Sequence, residues 1–358
     1  MPPMPNSVLA LLPFPAHSSL PLTVLREVKA HGVKVHLAVQ SMEARAVSTD
    51  PLTDFVETQS VTDLSVYPSS EHGGVLANIV ETRGVSLILQ VGANLLYKQL
   101  PHLKLLYPNV RIADLLFNPY GHNWDHFLFE NAIDTVIVES NFMADFIRKS
   151  TLVPARDIRI VQSGAKLHFD DSGIREKALP FTVGYAGRFS EEKAPLEFIK
   201  VAQKLSKKTS AVFKMFGTGP MELEVRGAVK LAALGERFSL EGFAPTAVDA
   251  LSALDVLVIP SRFDGRPVAI MEAAALGVVT VAAGVGGIPE MIQEGVNGFC
   301  ITPWNVSDAV DRICLLAQDQ VLLNSMKMAS RKFARDKFDF DRMIRDYVDV
   351  LGNNSVPS

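Results

Sequence analysis

The chain has 358 residues, of which 48% are hydrophobic and 21% are charged, and its net charge is −4. This composition is typical of a globular protein long enough for two domains, and the small acidic excess excludes nucleic-acid binding through bulk charge. No run approaches 18 uninterrupted apolar residues, so no transmembrane helix is predicted, while peripheral membrane contact stays open. The first residues lack the basic start of a signal peptide, and two cysteines in apolar surroundings favour a reduced, cytoplasmic location.

Short apolar runs alternate with helical patterns through the first half of the chain. The helical pattern over residues 20–32 ends on Gly32, as helices often do. Because the apolar runs have no polar face, they predict strands of a parallel sheet that is covered on both sides. The predicted strands are 7–14, 34–40, 85–91, 110–117, 134–140 and 157–162.

The same alternation restarts at residue 181. A helical pattern over residues 194–208 follows the first run, and an amphipathic helix is predicted over 340–351. The runs that predict strands of a second sheet are "FTVGYAG", "AVFKMFG", "FSLEGF", "DVLVIP" and "VVTVAAG".

Residues 165–180 are polar, lack strong periodicity and end in a proline, so they predict a linker between two domains. The predicted fold is α/β, with two doubly wound Rossmann-like domains facing a central cleft. The expected boundaries are an N-terminal domain over 1–172, a C-terminal domain over 173–337 and a last helix within 338–358.

The stretch "SRFDGRPVAIMEAAALG" places two carboxylates, Asp264 and Glu272, just after the apolar run "DVLVIP". Ligands of open parallel sheets bind beyond the carboxyl ends of strands, which puts this loop in a ligand-binding position. Pro267 suits the first turn of a helix. The stretch therefore predicts a helix that starts beside a ligand.

The amides at the start of that helix, those of Val268, Ala269 and Ile270, predict an anion site. A carboxylate beside an anion is unfavourable unless it binds hydroxyls, so Glu272 suggests a ribose, and Asp264 would face the rest of the ligand. The alternative, a turn acid and a solvated helix acid, stays open on spacing alone.

Two more loops lie at the same predicted sheet edge. In "VGYAGRFSEEKAP", Gly187 permits close backbone approach, and Arg188 and Lys193 suit a diphosphate. In "MFGTGPMELE", Gly217 and Gly219 precede a helix. Taken alone, the first loop is better interpreted as a solvated basic loop, and the second is weak evidence because turns use the same residues. Together with the two carboxylates, they indicate a binding site.

This constellation resembles the retaining glycosyltransferases of family 4, which have the GT-B fold. The matching motifs are "GRFSEEK", "FGTGP", "PSRFDGRPVAIMEAAALG", "GVGGIPEMI" and "GVNGF", in the family's order and at its spacing. The N-terminal half matches more loosely, through "VESNFMADFI" and "VPARDIRIVQSGA". The closing helix is similar to the one that returns to the N-terminal domain in that family.

The resemblance implies an enzyme that transfers a sugar from a UDP- or GDP-linked donor to an acceptor hydroxyl, without a metal or other cofactor. Glu272, in the family's E-x7-E motif, would hold the ribose, and Asp264 would lie by the sugar. Arg188 and Lys193 would stabilise the diphosphate as it leaves. The acceptor, whether glycan, lipid-linked glycan, protein or small molecule, is left open.

The C-terminal domain would bind the nucleotide-sugar, and the N-terminal domain would shape the acceptor side. The residues expected to bind the donor are Gly187, Gly217, Gly219, Pro220, Gly242, Phe243, Ser261, Arg262, Gly265, Pro267, Val268, Ala269 and Glu272.

Two features depart from the family pattern. Asp264 stands where the family has Glu, so its carboxylate reaches roughly 1.5 Å less far. The first loop reads "PFPAHSSLP" in place of a glycine-rich turn, which makes His17, Ser18 and Ser19 cleft candidates. "LLPFPAH" is also similar to the start of the inverting family that includes plant UDP-sugar transferases, but that family's His-Cys-Gly-Trp signature is absent.

The stretch "NPYGHNWDHFLFE" carries a histidine pair. In the resembled family this region contributes a histidine near the sugar, and His122 is the candidate. The rival is a zinc hydrolase, because His122 and His126 are spaced like the H-x-x-E-H pattern, with Asp125 in place of Glu. A nucleotide-sugar epimerase and a non-catalytic nucleotide-sugar binder also remain alternatives.

Overall fold

The computed structural model describes residues 7–14, 20–41, 52, 55, 58–117, 123–153, 157–169, 180–303 and 305–352. The chain divides into two compact units. The first holds Met1–Gln162 and Asp341–Ser358, and the second holds Ser163–Phe340.

The described strands are β1 (Ser7–Leu12), β2 (Lys34–Val39), β3 (Val61–Asp63), β4 (Leu87–Gln90), β5 (Arg111–Leu116), β6 (Thr135–Val138), β7 (Asp157–Ile160), β8 (Thr182–Ala186), β9 (Val212–Phe216), β10 (Phe238–Gly242), β11 (Val256–Ile259), β12 (Val279–Ala283) and β13 (Gly298–Ile301). The described helices are α1 (Leu20–Ala30), α2 (His72–Thr82), α3 (Leu100–Leu106), α4 (Asn123–Phe129), α5 (Asn141–Ser150), α6 (Pro195–Leu205), α7 (Glu222–Ala232), α8 (Ala247–Leu251), α9 (Val268–Ala275), α10 (Val306–Gln318), α11 (Gln320–Lys337) and α12 (Phe340–Gly352).

Each unit is built on its own parallel sheet. Within the described residues, the first sheet has the strand order β3-β2-β1-β4-β5-β6-β7 and the second has the order β10-β9-β8-β11-β12-β13. Neighbouring strands pair in parallel throughout both sheets. The order reverses between β1 and β4 in the first sheet and between β8 and β11 in the second. Reversals of this kind mark the ligand-binding positions of doubly wound folds.

Burial explains why the apolar runs form central strands. Every residue of β1, β11 and β12 is buried, since helices cover both faces of each sheet. The two α/β domains predicted from the alternation of strands and helices are therefore confirmed. The runs predicted as strands all contain one, with ends trimmed by one to three residues.

Two strands were not predicted. β3 has only three residues, all partly exposed, and pairs with the end of β2. β13 begins at Gly298, a residue type that argues against a strand, and a Cβ there would meet the carbonyl of Thr280 on the neighbouring strand. Glycine therefore permits the close pairing of β12 and β13. Because glycine is not typical of strands, the sequence did not predict β13.

The last helix, α12, belongs to the first unit. One face of it, made of Met343, Ile344, Tyr347 and Leu351, is at most 1% exposed. Arg111 of β5 donates a hydrogen bond to the carbonyl of Val350, at 3.0 Å. The helix thus closes the core of a unit whose other elements come from the beginning of the chain.

A buried ion pair ties α11 to the second sheet. Lys327 lies 2.7 Å from Asp255, with side-chain exposures of 7% and 5%. The second oxygen of Asp255 accepts a hydrogen bond from the amide of Thr182, at 2.9 Å, where β8 begins. The second unit also contains both cysteines as free thiols, Cys314 buried and Cys300 half-buried.

Candidate functional site

A pocket of about 130 Å³ lies at the reversal point of the second sheet. It is formed where β8 and β11 end, because the loops after these adjacent strands leave the sheet in opposite directions. Its lining residues are Tyr185, Ala186, Gly187, Lys193, Ile259, Pro260, Ser261, Asp264, Pro267, Val268 and Ala269. Seven of them are site residues predicted from the sequence: Gly187, Lys193, Ser261, Asp264, Pro267, Val268 and Ala269.

The centre of the pocket is an ion pair between two predicted site residues. The Nζ of Lys193 lies 2.6 Å from Oδ2 of Asp264. The hydroxyl of Ser261 donates to the same oxygen, at 3.2 Å. The side chain of Asp264 is 10% exposed and that of Lys193 is 31% exposed, so the cation is the more accessible partner.

The two loops that carry this pair are bound to each other. The amide of Arg262 donates to the carbonyl of Glu192, at 2.8 Å. The guanidinium of Arg262, predicted to contact a donor, forms an exposed ion pair with Glu191, also at 2.8 Å. Glu192 accepts a hydrogen bond from Ser190, which lowers the pKa of its carboxyl. The spacing between Lys193 and Asp264 is therefore set by loop-to-loop contacts as well as by the ion pair.

Helix α9 begins at the pocket wall, with Pro267 as its N-cap residue and no side-chain cap. The amide of Ile270 donates to the carbonyl of Pro267, at 3.1 Å. The prediction that this amide points outward was therefore wrong, because the first turn of the helix uses it. The amides of Val268 and Ala269 have no hydrogen-bond partner among the described residues, which leaves two donors at the positive end of the helix.

Glu272 lies one turn into α9 and is partly buried. Burial raises the pKa of its carboxyl above the ordinary value. Within the described part of the chain, no hydrogen bond or ion pair engages this side chain. A desolvated carboxylate without a partner is costly to a fold, which is typical of a residue kept for binding.

Arg188 is exposed in the loop after β8, and among the described residues no hydrogen bond or ion pair engages its guanidinium, although its charge helps to lower the pKa of Glu192. Its carbonyl accepts a hydrogen bond from the hydroxyl of Tyr185, at 2.9 Å. Tyr185 itself lines the pocket and is buried, and burial raises the pKa of its hydroxyl. A buried tyrosine thus anchors the backbone of the loop that presents the exposed arginine.

The glycines of the neighbouring loop pack against the loop after β8. Gly217 has a φ of 142°, and a Cβ on it would collide with the carbonyl of Gly187. A Cβ on Gly219 would meet the backbone of Phe189. The amide of Gly217 donates to the carbonyl of Gly242, at 2.7 Å. These glycines position the pocket loops, while Pro220 and Phe243 are exposed.

A second loop supports Asp264 from the far side. Gly286 has a φ of 57°, and a Cβ there would collide with the carbonyl of Asp264. The amide of Gly287 donates to that carbonyl, at 3.3 Å, and a Cβ on Gly287 would meet the carbonyl of Gly265. The motif "GVGGIPEMI" therefore lets two backbones approach closely at the acid that the pocket presents.

The first unit contains a buried triad that the sequence did not predict. Asp114 in β5 accepts hydrogen bonds from the hydroxyl of Tyr97 and from Nδ1 of His126, the latter at 2.7 Å. All three side chains are fully buried, and the pKa of the Tyr97 hydroxyl is raised by burial and by the Asp114 charge. The only sequence signal was a lone carboxylate inside the apolar run "VRIADLLF".

Of the predicted site residues in the N-terminal half, some lie within the described parts of the chain and others lie outside them. His17, Ser18, Ser19 and His122 lie outside the described residues. His126 is engaged by Asp114 through Nδ1, and within the described ranges no three His, Cys, Asp or Glu side chains gather as metal ligands. Among the described helices, none has the length and apolar character of a membrane span.

Comparison with known sequences points to one kind of domain. The family described as "Glycosyl transferases group 1" matches residues 180–319, which include the whole pocket. A protein of Salmonella typhimurium named as colanic acid biosynthesis glycosyltransferase WcaL is 25% identical over 57% of this chain and 53% of its own length. The chain thus spans about half the length of such relatives.

Solved structures match nearly the whole chain. A glycosyltransferase from Rickettsia africae superposes with a TM-score of 0.78 at 15% identity, over 99% of this chain and 100% of that one. HepE of Anabaena, solved with UDP, has a TM-score of 0.76 at 18% identity, over 96% and 99% of the two chains. These likenesses confirm the predicted fold class, two parallel-sheet Rossmann-like domains of the GT-B kind. Residues 180–319 of this chain are thus similar to glycosyl transferases group 1, and the whole chain shares their two-domain fold.

Proposed function

We propose that this protein is a glycosyltransferase that moves a sugar from a nucleoside diphosphate-sugar to an acceptor hydroxyl, with retention at the anomeric carbon and without a metal. The observation that carries the proposal is the pocket at the end of β8 and β11. There, Lys193, the buried Asp264 and the first residues of α9, Val268 and Ala269, line a space of about 130 Å³. Glu272 and Arg188 do not line this space, but they lie on α9 and on the loop after β8, which do. The group 1 domain spanning this pocket supports the same assignment.

The diphosphate would lie between the start of α9 and the loop after β8. The amides of Val268 and Ala269 offer two hydrogen bonds at a positive helix end. Lys193 adds a charge inside the pocket, and exposed Arg188 would close over the phosphates from the solvent side. These groups stabilise negative charge, which grows on the diphosphate as the glycosidic bond breaks.

Glu272 would bind the ribose. Its carboxylate, when ionised, accepts hydrogen bonds from two adjacent hydroxyls, which replaces the solvation that burial removes. A neighbouring carboxylate would repel the diphosphate if it had no such partner. Burial raises the pKa of the Glu272 carboxyl, and hydrogen bonds from ribose hydroxyls would offset the cost of keeping it ionised.

Asp264 would lie beside the transferred sugar, with its oxygens shared between Lys193 and the sugar hydroxyls. In the reaction, the bond between the anomeric carbon and the phosphate oxygen breaks, and the acceptor oxygen bonds to the same face of that carbon. The acceptor proton passes to the leaving phosphate oxygen, so that no protein base is needed. Lys193 and Arg188 hold the charge of the departing diphosphate.

UDP-sugars are the first donors to test, because the nucleotide bound to HepE is UDP. The test is a panel of nucleoside diphosphates that measures the shift in melting temperature, with and without EDTA. We expect one diphosphate to stabilise the wild type but not Glu272→Ala, whereas Glu236→Ala, an exposed glutamate outside the pocket, should respond like the wild type.

Turnover separates this proposal from its alternatives. The donors for this assay are sugars linked to the nucleoside diphosphate that raises the melting temperature. NMR of the product should show that the anomeric configuration of the donor is preserved. An inverted product would point to an inverting transferase, and a sugar isomer formed without acceptor would point to an epimerase. Activity lost with EDTA and restored by zinc would overturn the metal-independent mechanism.

A further inference from the structure

A second cavity, of about 320 Å³, lies in the first unit at the opposite edge of the sheet from the usual ligand position. It opens where β1, β2 and β3 begin, whereas ligands of doubly wound folds bind where strands end. Its lining residues are Ser7, Lys29, Gly32, Val33, Lys34, Val35, His36, Ser60 and Arg83. The cavity is distinct from the pocket of the second unit, and the proposed transfer reaction does not use it.

Three cations from three elements line this cavity, and none of its described lining residues is an aspartate or glutamate. Lys29 is in the last turn of α1, Lys34 begins β2 and Arg83 follows α2. The ammonium of Lys34 is exposed and has no partner among the described residues. In a chain with a net charge of −4, this is a local concentration of positive charge.

Capping of the helix ends does not account for these cations. Lysine and arginine often sit near the carbonyls that end a helix. Here, backbone amides already occupy those carbonyls, through bonds such as Gly32 to Lys29 at 3.0 Å and Val85 to Val80 at 3.0 Å. Lys34 is on a strand and faces no helix end. Helix capping therefore does not account for Lys34, and Arg83 donates to the carbonyl of Gln59, which lies outside α2.

The contacts of the cationic side chains orient them around the cavity. Lys29 donates to the hydroxyl of Thr58, at 2.7 Å, and its ammonium lies 4.7 Å from the centre of the Phe55 ring. Arg83 donates to the carbonyl of Gln59, at 3.2 Å, through one nitrogen of its guanidinium. An arginine held through one nitrogen keeps its other donors for a ligand.

His36 forms a polar wall between the cations. It is 6% exposed, and its Nε2 lies 2.9 Å from the hydroxyl of Thr62. Burial and the charge of Arg83 lower the pKa of His36 to about 4, so the ring is neutral near pH 7. A neutral imidazole has one donor and one acceptor, and a serine hydroxyl is likewise a donor and an acceptor. Ser7 and Ser60 add two such hydroxyls, although that of Ser60 also donates to the carbonyl of Thr58, at 3.2 Å.

From this geometry we infer that the cavity binds a small soluble phosphate monoester. The phosphate would contact Lys34, Arg83 and Lys29, and the hydroxyls of the ester would contact the serines. A volume of about 320 Å³ exceeds the needs of a bare phosphate ion and falls at the small end of the range for ligand sites. Arginine and lysine together are suited to a dianionic phosphate.

The experiment is isothermal titration of the full chain with glycerol 3-phosphate, glucose 6-phosphate and inorganic phosphate at constant ionic strength. We expect both esters to bind and uncharged glycerol and glucose not to bind. Lys34→Glu and Arg83→Glu should each weaken the binding about tenfold or more, since each removes a charge-assisted hydrogen bond. Lys98→Glu, an exposed lysine of the same unit outside the cavity, should change it less than twofold.

Controls separate this cavity from the pocket of the second unit. Lys193→Ala should leave ester binding unchanged, and Lys34→Glu should leave the nucleotide-induced thermal shift unchanged. Unaltered melting temperatures would show that the charge-reversal variants fold. Ester binding lost in Lys193→Ala but kept in Arg83→Glu would overturn the inference. So would binding to phosphatidic acid vesicles without binding to either soluble ester, because the source would then be a lipid headgroup.

Discussion

The Nζ of Lys193 lies 2.6 Å from Oδ2 of Asp264, so the proposed phosphate-binding cation and the proposed sugar-binding acid form an ion pair. A donor bound in this pocket would compete with the ion pair. Its diphosphate would compete with Asp264 for Lys193, and its sugar hydroxyls would compete with Lys193 for Asp264. The full nucleotide-sugar satisfies both residues, whereas a bare nucleoside diphosphate satisfies only the lysine.

Asp264→Asn should separate these two contributions. The amide cannot hold Lys193 by charge, so UDP, or whichever diphosphate binds, should bind as tightly as to the wild type or more tightly. Sugar transfer should fall about 100-fold, because the contact to the sugar is lost in the transition state. Titration calorimetry and a turnover assay measure the two effects. Weaker diphosphate binding in this variant would contradict the competition between donor and ion pair.

Glu272→Gln should make the protein more stable and less able to bind the donor. Because burial raises the pKa of this carboxyl in the folded state, its ionised form costs stability above that pKa, and the cost disappears as pH falls through it. Urea unfolding at pH 7 should give a higher free energy of unfolding for the variant, with the difference shrinking in acid. Donor affinity should fall about tenfold or more. A less stable variant would mean that Glu272 has a structural partner.

Gly217→Ala and Gly227→Ala should have opposite effects. At Gly217, the new Cβ collides with the carbonyl of Gly187, and the left-handed φ disfavours alanine. The free energy of unfolding should fall by more than about 1 kcal/mol, and donor binding should weaken. At Gly227, in the middle of α7, the added carbon meets no atom within 4 Å beyond its chain neighbours and the helix's own backbone, so alanine should raise stability by about 0.5–1 kcal/mol. Thermal or urea unfolding of both variants checks this contrast.

Lys327→Met should destabilise the second unit strongly. It leaves Asp255 buried beside the Thr182 amide without its counter-ion, and breaking such a pair costs about 3–5 kcal/mol. The exposed pair of Lys208 and Asp311, at 3.0 Å, is the control, and Lys208→Met should leave the unfolding midpoint unchanged within error. Equal effects of the two substitutions on urea unfolding would show that the buried pair contributes no more to the free energy of unfolding than the exposed pair.

His36 should make the first unit sensitive to acid. Its folded pKa of about 4 lies below the ordinary value of 6.5, so the unfolded chain binds the proton first and stability falls as pH drops from 6.5 to 4. At pH 5 this amounts to about 2 kcal/mol. His36→Gln should remove that part of the acid destabilisation, whereas His31→Gln, at an exposed position, should retain it. The measurement is urea unfolding at pH 7 and pH 5.

The sequence predicted the elements of this fold well and the contacts of the site only in part. Apolar runs such as "DVLVIP" predicted strands because a strand buried on both faces consists almost entirely of apolar residues. The sequence placed Asp264 and Lys193 at one sheet edge but not in an ion pair, which depends on how two loops cross. It assigned the amide of Ile270 to a ligand, although the first helical turn uses that amide.

The buried triad shows what the sequence could not reveal. Tyr97, Asp114 and His126 come from three separate elements and meet only through tertiary packing. The sequence shows Asp114 as an acid within an apolar run, but the residues around it in the sequence do not identify its partners. The sequence suggested that His126 could bind a metal, because its spacing from His122 fits a metal-binding motif. Its hydrogen bond to Asp114 is a tertiary contact, which the sequence does not show.

The place of α12 in the chain also affects how the protein is made. Met343, Tyr347 and Leu351 complete the core of the first unit, yet the ribosome synthesises them after the entire second unit. Until then, the nascent first unit exposes the apolar surface that this helix later covers. Chaperones should therefore keep contact with the first unit until residues 340–352 are synthesised and free to pack on it.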